Sequence, residues 1–170
     1  ALCQDQADNF GNGKGDDKIS KKCINTFKEM AMANFSAKEF KTTKLKSYGY
    51  RNMILVEKKV GTNNVTEIIA GNSTELKAVR SLALDETHQE VAVLEEGGDV
   101  LFFSTRITGN TAPFRVLRHK EIEGASELTI DEERNLVALY NKKSKKILFF
   151  SRLANLKGRA GDQKLGVVKV

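Results

Sequence analysis

Four features of this 170-residue chain have residue types and spacings that bear on chemistry. Cys3 and Cys23 are the only cysteines, and both stand in the amino-terminal portion. A pair placed so locally suits a disulfide in an oxidising compartment. The alternatives are a lipid anchor on Cys3 behind a removed export signal, or two free thiols. The spacing is far from Cys-x-x-Cys and no histidine cluster accompanies it, which argues against zinc. His88 and His119 are the only histidines, and each reads as a surface residue of a turn or strand end. Asp85 and Asp131 follow matching apolar strands, Leu82-Ala-Leu-Asp85 and Leu128-Thr-Ile-Asp131, and an Asp repeated there reads as a turn cap. The Asp- and Gly-bearing stretch Asn9–Asp16 lacks the alternate acidic spacing of an EF-hand, with Phe10 where a ligand should fall. Nucleophile elbow, phosphate loop and His-Glu-x-x-His are all absent. The expectation is a protein with no catalytic residues, no metal site and no cofactor.

The elements that would position these residues come from a repeat. Val100-Leu-Phe-Phe-Ser104 returns as Ile147-Leu-Phe-Phe-Ser151, and Glu90-Val-Ala-Val-Leu94 as Leu136-Val-Ala-Leu-Tyr140. The period is about 47 residues, the size of a supersecondary unit that must stack on copies of itself. Stepping back once more from Val100 lands on Met53, which opens Met53-Ile-Leu-Val56. One copy reads as strands 81–85, 90–94, 100–105 and 113–118. The next reads as 127–131, 135–140, 147–152 and 164–170. Before them stand 53–60 and 65–70, with 48–51 as a weak further strand. Hairpin-sized links, Glu95–Asp99 and Asn141–Lys145, favour antiparallel pairing. The third strands are unbroken apolar runs, as expected where both faces of a sheet are covered.

Ahead of the repeat, residues 4–17 are polar and read as loop. Asp16 or Asp17 offers an N-cap, and Ile19, Cys23, Phe27, Met30 and Ala31 then define one apolar face of a helix to about residue 34. Ser36-Ala-Lys-Glu39 carries a capping-box pattern for a further helical turn. The expected division is residues 1–45 as loop and helix and 46–170 as the β-repeat domain. The helix is expected to cover an open sheet face.

Leu82-Ala-Leu-Asp85-Glu86, Glu90–Leu94, Val100–Phe103 and Thr108-Gly-Asn-Thr-Ala-Pro-Phe-Arg115, with their second copies, resemble the blades of bacterial exported β-propellers of the NHL and YncE-like kind. The second copy lacks the Gly-Asn-x-x-Pro-x-Arg phrase and has Ala154-Asn-Leu-Lys-Gly158 instead. The resemblance covers about residues 50–170 and implies a mainly-β fold of propeller-like four-stranded antiparallel repeats with an amino-terminal helical segment. Non-propeller stacked sheets with a capping helix are the structural alternative. Two and a half blades cannot close a ring of four to eight. Several chains would have to pool blades, another protein would have to supply them, or the chain belongs to a longer one.

Composition bounds the partner. Net charge is +6 with pI near 9.3, too mild an excess to point to nucleic acid. No apolar stretch is long enough for a membrane span. Ala1 in place of methionine suits a chain that has been processed or cut to a chosen start. Three Asn-x-Ser/Thr sequons, at Asn34, Asn64 and Asn72, occur at chance frequency. The expectation is an exported, periplasmic, outer-surface or secreted non-enzymatic module that binds a protein partner or itself. Its loop Thr108–Phe114 and basic stretch Arg115–Lys120 would offer Asn110, Phe114, Arg115, Arg118 and Lys120 as contacts. The alternatives are an oligomeric lectin, weakened by the absence of tryptophan, and a propeller hydrolase or lactonase.

Overall fold

The computed structural model describes residues 2–10, 18–33, 37–39, 45–153 and 164–169, of which 37–39 and 164–169 are described by backbone alone. Two helices, α1 (Leu2–Asn9) and α2 (Lys21–Ala33), precede twelve strands. These are β1 (Ala37–Glu39), β2 (Leu45–Tyr50), β3 (Met53–Val60), β4 (Asn63–Ile69), β5 (Val79–Asp85), β6 (Glu90–Glu95), β7 (Val100–Ser104), β8 (Arg115–Leu117), β9 (Glu127–Asp131), β10 (Leu136–Asn141), β11 (Lys146–Ser151) and β12 (Lys164–Lys169). They form three four-stranded antiparallel meanders in chain order, β1–β4, β5–β8 and β9–β12. The repeat is therefore three complete sheets, not two and a half. β1, paired through Ala37↔Tyr48, and β2 supply the half that sequence left weak. Ala37–Glu39 is strand instead of a helical turn, and the sheet begins ahead of residue 46.

The layers stack as helices, first sheet, second sheet, third sheet. In the second sheet, Leu82, Leu84, Val91, Val93, Leu101 and Phe103 pack with Ile54, Val56 and Ile69 of the first. The alternating residues Ala83, Ala92, Leu94, Val100 and Phe102 pack with Leu128, Val137, Leu139, Leu148 and Phe150 of the third. Both faces of β7 are thus covered, which is why Val100-Leu-Phe-Phe103 shows no alternation. Each such side chain contributes about 1.5–3 kcal/mol of burial.

The first sheet's other face carries Tyr48, Met53, Leu55, Ile68 and Ala70, and the helices cover it with Ala7, Phe10, Ile19, Cys23, Phe27 and Ala31. The Phe27 and Tyr50 rings stack at 4.9 Å. This facing shows that Met53 is not the counterpart of Val100. Met53 faces the helices while Ile54 faces the second sheet as Val100 faces the third, so the true match is Ile54. A one-residue slip in a strand exchanges its faces.

The helical segment also departs from expectation. Leu2–Asn9, read as polar loop, is a helix whose Ala7 joins the core and whose Cys3 is bonded to Cys23, Sγ–Sγ 2.07 Å. An eight-residue polar helix is unstable alone, and tertiary contacts override its weak propensity. α2 starts later than expected: the Ser20 hydroxyl accepts from the Cys23 amide at 3.3 Å, as an N-cap does. Met30 is 45% exposed and lies off the apolar face. Asp16, Asp17, Ser36 and the stretch 154–158 fall outside the described residues, as does most of the 9–16 stretch.

Candidate interaction surfaces

The five expected contact residues do not form one patch. The loop from Thr105 to Phe114 is sewn to the first sheet: the Gly109 amide donates to the Ile68 carbonyl at 2.7 Å, and the Ala70 amide to the Gly109 carbonyl at 3.2 Å. Asn110 serves this join, accepting from the Ser73 amide at 2.8 Å beside Gly71, where φ is 119 and a Cβ would lie 2.5 Å from the Asn110 side chain. Phe114 is 44% exposed, and the Arg115 guanidinium lies 4.8 Å from its ring centre and 4.4 Å from that of Phe102. Arg115 is itself nearly buried, held by Glu90 at 2.7 Å. Arg118 pairs with Glu75 and Asp99 at 3.1 and 3.2 Å. Lys120 is exposed in the short 3-10 turn Lys120–Ile122, beyond the far end of β8 from Phe114.

At the end of the second and third sheets where β5 runs into β6, the repeated aspartates cap their turns. Asp85 accepts from the His88 amide at 3.0 Å and Asp131 from the Arg134 amide at 3.1 Å. Asp85 also meets His88 Nδ1 at 2.8 Å. Around it gather Glu90, Arg115, Glu132, Asn135 and Arg152. Arg152 reaches from behind β11 to both oxygens of Glu90 at 3.1 Å, to Asn135 at 3.0 Å and to Asp85 at 3.8 Å. The Arg115 Nε–H donates to the Arg152 carbonyl. Burial pushes the Asp85 carboxyl above the ordinary range, and Glu132 adds to the rise. Burial works against ionised Glu132 too, but hydrogen bonds from the Thr87 amide and Asp85 hold it below its usual range. The opposite shifts make Asp85 the weaker acid of the two across the join between the second sheet and the third. The Asp85 side chain is fully buried, while His88 is 27% exposed. Sequence reading found the aspartates and missed Glu90 and Arg152, which carry no motif. Among the described residues no group of three or more His, Cys, Asp and Glu is placed to hold a metal.

Among the described residues, nothing packs as a layer on the second face of the third sheet. Burial alternates along β10 and β11: Val137, Leu139, Leu148 and Phe150 are covered by the second sheet, while Leu136, Ala138, Tyr140, Ile147 and Phe149 are half-buried. Register places Ile147 opposite Tyr140, and Phe149 opposite Ala138. Beside them Glu127 and Thr129 of β9 share the face. Arg80, Lys142 and these residues line a shallow groove of about 730 Å³. By repeat position, Phe149 corresponds to Phe102, Ile147 to Val100 and Ala138 to Ala92, all fully buried under a neighbouring sheet. The open face has the sequence of a sheet-contact face.

No protein-family model matches the chain, and no curated protein matches it in sequence. Solved structures do. The β-propeller domain of Cps50 (Swd1) from Myceliophteria thermophila is similar at TM-score 0.51 and 8% identity, over 71% of this chain and 36% of that one. The WD40 β-propeller domain of Doa1 is similar at TM-score 0.52 and 10% identity, over 66% and 36%. Hsv2 from Kluyvelomyces marxianus is similar at TM-score 0.54 and 17% identity, over 78% and 44%. The likeness is one of fold: this chain is mainly β, its four-stranded antiparallel sheets are those of propeller blades, and its own helical segment precedes them. The chain spans less than half the length of each of these three structures.

Proposed function

We propose that this chain is a non-enzymatic protein–protein interaction module built from β-propeller blades, of the exported bacterial NHL and YncE-like kind, whose blade array is completed by a protein that covers the third sheet. One observation carries the reading: Phe149 and Ile147 repeat the positions of the buried Phe102 and Val100 on a face that no sheet of the described residues covers. Apolar residues left half-buried at sheet-contact positions mark a contact site. The Cys3–Cys23 bond supports an oxidising, exported setting, periplasmic or secreted. Scaffold use suits a fold whose rigid sheets hold their connecting loops still.

The test is binding of a hydrophobic dye such as bis-ANS to the folded chain. Wild type should bind it, Phe149→Ser and Ile147→Ser should each reduce binding about twofold or more, and Phe114→Ser should not. Absence of dye binding to wild type, or loss with Phe114→Ser alone, would remove the basis for the proposal.

A further inference from the structure

The open face of the third sheet has polarity along its strands. At one end, the β10–β11 hairpin carries Lys142, Lys143, Lys145 and Lys146, all exposed, with Glu127 as the acid at that end of β9. At the other, the β9–β10 turn carries Asp131, Glu132 and Glu133: Arg134 is paired to Asp131 at 2.7 Å, Glu132 accepts from the Thr87 amide of the second sheet at 2.8 Å, and Glu133 is exposed. Between them lies the apolar strip Ala138, Tyr140, Ile147 and Phe149. The opposite end of the stack offers no matching surface, because Phe27, Cys23 and Ala31 already fill the free face of the first sheet.

We propose that the third sheet pairs face to face with the third sheet of a second copy of this chain. This rests on the reading above and names its partner. The charge pattern selects the symmetry. A two-fold axis lying in the contact and running across the strands sets each lysine hairpin against the partner copy's acidic turn. An axis along the strands would oppose lysine to lysine. Continuous head-to-tail addition is closed off by the helices, so the assembly stops at two. The apolar strip supplies the attraction, and the ends fix register and orientation.

The experiment is light scattering after size exclusion on the full chain, across a dilution series and at low salt, with a charge exchange. Wild type should give twice the 18.9 kDa of one chain. Lys143→Glu and Glu133→Lys, each alone, should weaken dimerisation at least about threefold, since like charges then meet across the contact. The two changes in one chain should restore it to within about twofold. Failure of the combined chain to recover, or a wild-type monomer at every concentration, overturns the pairing. Phe149→Lys separates the two readings. If the chain is a monomer yet Phe149→Lys lowers bis-ANS binding, the face serves another protein and self-pairing is wrong. If it is a monomer and the dye is unaffected, both readings fall.

Discussion

Arg152 and Glu90 stand 62 positions apart in the chain, yet the guanidinium Nη1 lies 3.1 Å from both carboxylate oxygens, tying the end of the third sheet's β11 to the first residue of β6 in the second. Both side chains are close to fully buried, at 8% and 11% exposure. Glu90 also neutralises Arg115. Removing it leaves Arg115 without its ion-pair partner and Arg152 with only Asp85, at 3.8 Å. Glu90→Ala should therefore destabilise the chain by about 3–5 kcal/mol, read as a lower urea midpoint. A change under about 1 kcal/mol would mean that the contact contributes orientation and little energy.

The amino-terminal cap makes a separate prediction. Phe27 is 2% exposed and stacked on Tyr50. Phe27→Asp puts a carboxylate into that layer and should lower stability by at least about 3 kcal/mol, combining lost packing with charge burial. It should also raise hydrophobic-dye binding by uncovering Met53 and Leu55. Unchanged stability and dye binding would show that the helices do not shield the sheet.

The Cys3–Cys23 bond holds α1 against α2. Replacing both cysteines with serine should cost about 2–4 kcal/mol in a chemical denaturation measurement. Limited proteolysis should then cut within α1 while leaving the three sheets intact. Equal protease resistance of the two proteins would count against a role for the bond in seating α1.

The raised Asp85 carboxyl gives a pH signature. Folding raises the pKa of Asp85, with burial as the largest cause, so its contribution is full below the ordinary aspartate value and is lost as pH rises through the folded value. Arg152 at 3.8 Å and His88 oppose the rise, and Glu132 supports it. Asn offers the same acceptor to the His88 amide and a permanent donor toward Glu132. Asp85→Asn should therefore match wild type in acid and gain on it as pH increases toward 8. Parallel stability curves from pH 4 to 8 would refute the assignment.

Much of the architecture was legible because the second and third sheets share written-out strands with similar spacing. Val100-Leu-Phe-Phe103 and Ile147-Leu-Phe-Phe150 announce a stack without any alignment. The first sheet hid for two physical reasons. Gly49, where Leu94 stands in the next copy, leaves no apolar signature; it is needed because a Cβ there would strike Val79 and Leu82. The short β1, Ala37–Glu39, lies in a capping-box pattern that points to helix, whereas β3 and β4 were readable as the strands 53–60 and 65–70. Helix α1 was hidden because its stability comes from contacts outside it. The contact residues fared differently. Exposure of Phe114 and Lys120 could be guessed from their loops, but the capture of Arg115 by Glu90 depends on a partner from another strand. The open face was readable only once the layer order was known, since Phe102 and Phe149 are written alike.

Every sheet is a meander of consecutive strands, so nearly all backbone pairing joins neighbours in the chain. Closing such short loops costs little entropy, and low contact order goes with quick folding. The second sheet, insulated on both sides, is the natural nucleus, and structure spreads from it in both directions. The two pairs that Arg152 makes, with Asp85 and Glu90, span the longest stretches of chain among the ion pairs of the described residues, and they close late. Substitutions at β7 should slow refolding, whereas Glu90→Ala should chiefly hasten unfolding. The same ordering implies that the third sheet opens first in the native state, with the earliest amide exchange falling in β9 and β10.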